Sequence, residues 1–169
     1  LYSLSETKNR KIGVIGTRAT ITSGIYGRLL NSLSHSSVSV IEKATPLLVP
    51  MIEEGWLQNK ISLDVIHEYL SDKDFQEIDT LILGCTHYPL IKNQIQDFFE
   101  NHHKNTVKVV DSSTAVAEYV RKQLSLSDLL TIDPHEKSRF FLSDFSQNFQ
   151  DSAKLFMGQS IDFEKVTLS

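Results

Sequence analysis

Asp79-Thr-Leu-Ile-Leu-Gly84 is apolar at consecutive positions, and Cys85-Thr-His-Tyr-Pro89 follows it directly. A strand with one face in water alternates apolar and polar side chains. An unbroken apolar run closed by a glycine instead predicts an interior strand of a parallel sheet, covered on both faces. Pro89 suits the first turn of a helix, where its missing N–H costs nothing. Ile91, Ile95, Phe98 and Phe99 give that helix a buried stripe. Strand, short polar turn and helix make up part of a βαβ unit.

The same succession runs outward from this stretch. Upstream, Lys11-Ile-Gly-Val-Ile-Gly16 predicts a first strand, followed by Ile21, Ile25, Leu29 and Leu33, spaced four apart as one stripe of a helix. Val38-Ser-Val-Ile41 predicts a second strand. Thr45-Pro-Leu-Leu-Val-Pro50 reads as an ordered loop, because Pro50 breaks a long helix. A brief helix through Ile52 and Glu53 then ends at Gly55. A further helix from about Ser62 to Leu70 is expected to bury Val65, Ile66, Tyr69 and Leu70. Downstream, Val107-Lys-Val-Val110 predicts a fourth strand, and Asp111, Ser112 and Ser113 can cap a helix carrying Val116, Tyr119, Val120 and Leu124. The expectation is an α/β fold: a Rossmann-like parallel sheet flanked by helices over residues 1–124, its strands starting near Lys11, Val38, Asp79 and Thr106. Residues 125–169 read as a linker and a β-α-β tail, with strands at Phe140-Phe-Leu142 and near Phe163 to Val166 around a helix from Phe149 to Met157.

Composition removes several function classes. The 169 residues are 40% hydrophobic and 22% charged, which is the balance of a globular chain. A net charge of −4 and no Lys/Arg run beyond two residues leave no basic footprint for nucleic acid. No apolar stretch approaches the roughly 20 residues that cross a bilayer, and the first ten residues lack the pattern of a signal peptide. A single cysteine excludes an internal disulfide and suits a reducing, cytoplasmic compartment. The chain starts with Leu, so its start is expected upstream.

Cys85 is the candidate reactive group. Ligands bind open α/β sheets at the C-terminal ends of strands. A helix N-terminus there offers unpaired N–H groups and partial positive charge, which stabilise a thiolate. His87 can donate a proton or hold a carboxylate, and Thr86 offers a hydroxyl and a backbone N–H. Against this stands the common fate of a lone cysteine, burial as a small hydrophobe. A metal site is not expected, since Cys85 and His87 are two ligands with no second pair at zinc spacing. His102 and His103 read as a solvated helix end, and Gly13 to Thr17 as a tight turn lacking the lysine of a phosphate loop. A Cys–His hydrolase is a weaker reading, because no orienting third residue can be identified in the sequence.

Leu83-Gly-Cys-Thr-His-Tyr-Pro-Leu90 resembles, nearly letter for letter, the second cysteine motif of the glutamate racemase family. Val14-Ile-Gly-Thr17, Pro46-Leu-Leu-Val-Pro50 with Glu53 and Gly55, and Val109-Val-Asp-Ser112 resemble other segments of that family in the same order. The resemblance covers about residues 11–169. It implies two facing α/β lobes, each giving one cysteine to the cleft between them. It also implies cofactor-independent interconversion of L- and D-glutamate by two-base proton transfer, supplying D-glutamate for peptidoglycan, in a cytoplasmic homodimer. Cys85 is then one acid–base thiol, assisted by His87. Thr86 and His87 contact the substrate carboxylate, Glu53 supports the site electrostatically, and Thr17 is a further substrate-side candidate. The family's loop begins Cys-Pro where this chain has Thr45-Pro46, an exchange expected to matter little. The family's first lobe, with its Asp-Ser-Gly turn and Ala-Cys-Asn-Thr motif, has no counterpart here. The resemblance further implies that the tail packs on that lobe. Racemisation needs groups on both faces of the α-carbon, so the chain reads as half of an active site, inactive alone. An aspartate or related racemase and a non-catalytic α/β binding domain are the alternatives.

Overall fold

Four strands form one all-parallel sheet: β1 (Lys11–Gly16), β2 (Ser39–Ala44), β3 (Thr80–Gly84) and β4 (Lys108–Asp111), in the order β2-β1-β3-β4. The computed structural model describes residues 2–34, 36–103, 106–131, 138–144 and 147–167, with the backbone alone at 147–149 and 152. The chain divides into two compact units, Leu1–Lys122 and Gln123–Ser169.

The period of two along a strand explains the core of the first unit. On β1, Ile12 and Val14 point to one face and Ile15 to the other; on β3, Ile82 opposes Leu81 and Leu83. One face buries Ile12, Val14, Ile82, Leu30 and Val38, with Tyr26 packed at its margin. The other, larger face buries Ile15, Leu81 and Leu83 beneath Leu48, Ile52, Ile66, Tyr88, Ile95 and Phe99. The helices that cover the sheet are α3 (Ile25–Leu33) on the first face, and α4 (Leu48–Glu53), α5 (Lys60–Leu70) and α6 (Lys92–His102) on the second, where Tyr88 comes from the turn before α6. A short α1 (Tyr2–Glu6) precedes β1, and α2 (Arg18–Thr22) follows it. The sheet flanked by helices on both faces is thus the α/β architecture that the apolar runs predict.

Three helices depart from expectation. The stripe from Ile21 to Leu33 is two helices, because Gly24 adopts φ 58°, a left-handed conformation that ends α2. Leu30 is the buried residue of α3, whereas Ile25, Leu29 and Leu33 are exposed. Pro50 lies inside the first turn of α4 rather than before a helix, where its ring meets no preceding turn. In α5, capped by the Asn59 side chain on the Ser62 N–H, Ile66 and Leu70 are fully buried while Val65 and Tyr69 are partly so. The aromatic helix α6 buries Ile95, Phe98 and Phe99 as predicted, with Ile91 buried just before it. His102 at its end is exposed and stacks on Phe98, and His103 packs edge-on against Phe99.

The helix α7 (Ser112–Leu126) runs on from β4, and the division between the units falls within it. Its first turn is held by Asp111, whose carboxylate accepts from the Thr114 N–H at 2.9 Å and the Ser113 hydroxyl at 2.6 Å. None of its residues is buried, and Val116, Tyr119 and Val120 form an exposed apolar stripe. In the second unit, β5 (Phe140–Leu142) and β6 (Phe163–Lys165) pair in parallel around α8 (Gln147–Met157), a small β-α-β unit. Phe140 meets Phe163 edge to face with centroids 6.1 Å apart, while Phe141 and Phe156 are exposed.

Candidate active site

The register of the sheet sets the site. Gly16, the last residue of β1, pairs with Gly84 at the end of β3 on one side and with Ala44 at the end of β2 on the other. The residues that leave these strands at the same edge are Thr17, Cys85 and Thr45. Gly84 permits the close approach: a Cβ there would lie 2.9 Å from the Ile15 carbonyl oxygen and 3.1 Å from the Tyr26 ring. No other residue type fits without moving backbone.

Cys85 is a free cysteine, partly buried against the larger core. Its Sγ lies 3.8 Å from His87 Nδ1, and His87 Nε2 lies 3.1 Å from Glu53 Oε1. Glu53 ends α4, so α4 brings a carboxylate to the imidazole. When Nε2–H donates to that carboxylate, Nδ1 becomes the acceptor facing the thiol. The three groups form a relay through which a proton can pass between sulfur and imidazole. Glu53, which the resemblance alone brings into the sequence reading, meets the imidazole at the nitrogen that does not face the thiol. The His87 and Glu53 side chains are 27% and 56% exposed, so their contact contributes little to folding stability but stands open to a ligand.

The electrostatic help expected from a helix N-terminus is smaller than predicted. Pro89 does lie in a first turn, but that turn is a short 3-10 segment, Tyr88–Ile91, and regular helix starts only at Lys92. Aligned peptide dipoles sum over a helix and act within its first turn, so a four-residue turn offers Cys85 only a few of them. Thr17 caps α2, its hydroxyl accepting from the Thr20 N–H at 3.3 Å and lying 3.0 Å from the Thr20 hydroxyl. Thr86 is exposed beside Cys85.

Three residues at this edge have partners that sequence reading does not foresee. Tyr26 lies against Gly84, and burial pushes its phenol up, with the neighbouring Cys85 sulfur adding to the effect. Thr45 and Tyr88 are both fully buried, and their hydroxyl oxygens are 2.6 Å apart. Burial pushes the Tyr88 phenol up to about 12, although the hydrogen bond with Thr45 works in the opposite direction. Only the strand register, which brings Thr45 and Tyr88 together across 43 positions, makes this pair visible. Among the described residues, no group of three or more His, Cys, Asp or Glu side chains could hold a metal ion.

A partly buried thiol, an imidazole and a carboxylate at the C-terminal edge of a parallel sheet suit proton transfer to and from carbon. A family model for Asp/Glu/Hydantoin racemase matches residues 2–120, and the chain belongs to that family. Glutamate racemases from Sulfurihydrogenibium sp. (strain YO3AOP1) and Aquifex aeolicus (strain VF5) are each 41% identical to it. The matches cover 96% and 98% of this chain but 58% and 59% of those proteins, so the chain spans about three fifths of their length. Among solved structures, the Francisella tularensis glutamate racemase in complex with D-glutamate superimposes with a TM-score of 0.82 at 31% identity, covering 99% of this chain and 60% of that one.

Proposed function

We propose that this chain supplies one half of a glutamate racemase active site, with Cys85 as the acid–base thiol for one face of the substrate. The observation that carries the proposal is the Cys85–His87–Glu53 relay at a strand-end edge in a chain 41% identical to glutamate racemases. The thiolate of Cys85 takes the α-proton of glutamate. The electron pair of the broken C–H bond stays on carbon and spreads into the adjacent carboxyl group, and an acid on the opposite face returns a proton there. Cys85 is the single cysteine of the chain, so a second thiol comes from outside these 169 residues. His87 and Thr86 hold the substrate carboxylate, Thr17 borders it, and Glu53 keeps His87 in the working tautomer. No cofactor takes part. The complete enzyme works as a homodimer in the cytoplasm, a reducing compartment that suits a free thiol, and makes D-glutamate for peptidoglycan.

Thiol alkylation with and without ligand tests this reading. Cys85 is expected to react readily with iodoacetamide and to be protected by glutamate. Slow reaction, or protection by aspartate but not glutamate, would reject the glutamate site.

A further inference from the structure

We infer that Thr45 is a positioning residue of this site: its hydroxyl anchors Tyr88 and so fixes the reach of His87 to both Cys85 and Glu53. Thr45 is fully buried at the first position beyond β2, and five polar contacts converge on it. Its N–H donates to the Gly16 carbonyl at 2.8 Å, and its hydroxyl lies 3.3 Å from the same oxygen. Its own carbonyl accepts from the Leu48 N–H that opens α4, at 3.2 Å, and lies 3.2 Å from the Tyr88 hydroxyl oxygen. The two hydroxyl oxygens stand 2.6 Å apart. With the threonine hydroxyl donating to Gly16 and the phenol donating to Thr45, every polar atom of the pair is satisfied, as full burial requires.

These bonds join the parts that carry the site. Gly16 precedes Thr17, Leu48 begins the helix that ends at Glu53, and the Tyr88 N–H donates to the Cys85 carbonyl at 3.3 Å. Thr86 and His87 lie between Cys85 and Tyr88 on that turn, so the backbone of both is held from either side. The His87 ring must span from 3.8 Å of a sulfur to 3.1 Å of a carboxylate on another element. A phenol released from Thr45 would leave two buried hydroxyls without their partner, and the turn would move to relieve them. The hydroxyl of Thr45 is bonded to Gly16 and Tyr88. It acts through Tyr88.

The inference rests on the reading of Cys85 as a working thiol, and the test separates the two. Iodoacetamide alkylation of Cys85 across the neutral pH range and the His87 ring resonances are followed in the unaltered chain, T45V, T45S and Y88F, with melting temperatures alongside. T45V and Y88F are expected to slow alkylation by about tenfold, a loss equivalent to one unit of thiol acidity, and to shift the His87 resonances. T45S keeps the hydroxyl and is expected to restore both. Should T45V fail to fold, Y88F decides alone, since it loses one oxygen and keeps the ring. Unchanged alkylation and resonances in the variants, whatever their melting temperatures, would overturn the inference while a fast, glutamate-protected Cys85 in the unaltered chain kept the racemase reading. An inert Cys85 in the unaltered chain would overturn both.

Discussion

Glu53 reaches the site from the end of α4, and its carboxylate lies 3.1 Å from His87 Nε2, where an Nε2–H donor leaves Nδ1 to face the thiol. Its side chain is more than half exposed, so its removal costs the fold little. E53A is therefore expected to leave the melting temperature nearly unchanged while slowing Cys85 alkylation several-fold. Equal loss of stability and reactivity would instead make Glu53 a structural residue. Cys85 and His87 are legible from sequence because two positions on one turn are neighbours in any fold. Glu53 enters through resemblance alone, since nothing local ties position 53 to position 87. Thr45 and Tyr88 are less legible still. Each is an ordinary residue in its own segment, and their meeting depends on β2, β1 and β3 ending in register.

At the scale of elements, β4 and α7 are joined by a buried charge. Asp111 is 4% exposed and pairs with Lys92 from α6, at 2.5 Å, besides capping α7. Burial alone would push its carboxyl up, but the bonds from Lys92, Ser113 and Thr114 more than offset that and hold it well below the usual carboxylate range. A carboxyl whose folded value is depressed contributes stability above its unfolded value, about pH 4, and that stability is lost as pH falls further. D111N keeps a capping side chain but removes the charge that Lys92 faces, so it is expected to cost about 1.5–3 kcal/mol near neutrality and to flatten the acid limb of a urea-unfolding profile. An unchanged acid limb would show that this carboxyl is not the linked group. The strands were readable because continuous apolar runs have few alternatives. The division at Gly24 was not, because a four-residue spacing persists across a break that only a backbone angle reveals. Likewise periodicity marks Val116, Tyr119 and Val120 as one face of α7 but says nothing of what covers it, and the face is exposed.

For the whole molecule, the first unit is a four-stranded parallel sheet with a complete thiol–imidazole–carboxylate relay at one edge. The second is a small β-α-β unit. Of the apolar tail residues that would pack against a first lobe, Phe141 and Phe156 are exposed, and Phe140 and Leu155 are half-buried. Phe145 and the side chain of Phe149 lie outside the described residues. Inversion at carbon requires a proton donor on the face opposite the base, and the one cysteine of the chain stands on one side. Incubation of the 169-residue chain with each enantiomer of glutamate in deuterated water, followed by α-hydrogen exchange and chiral analysis, tests this most directly. The expected result is exchange confined to one enantiomer, abolished in C85A, with no inversion at an enzymatic rate. Inversion as fast as that of a complete racemase, or exchange that persists in C85A, would contradict it.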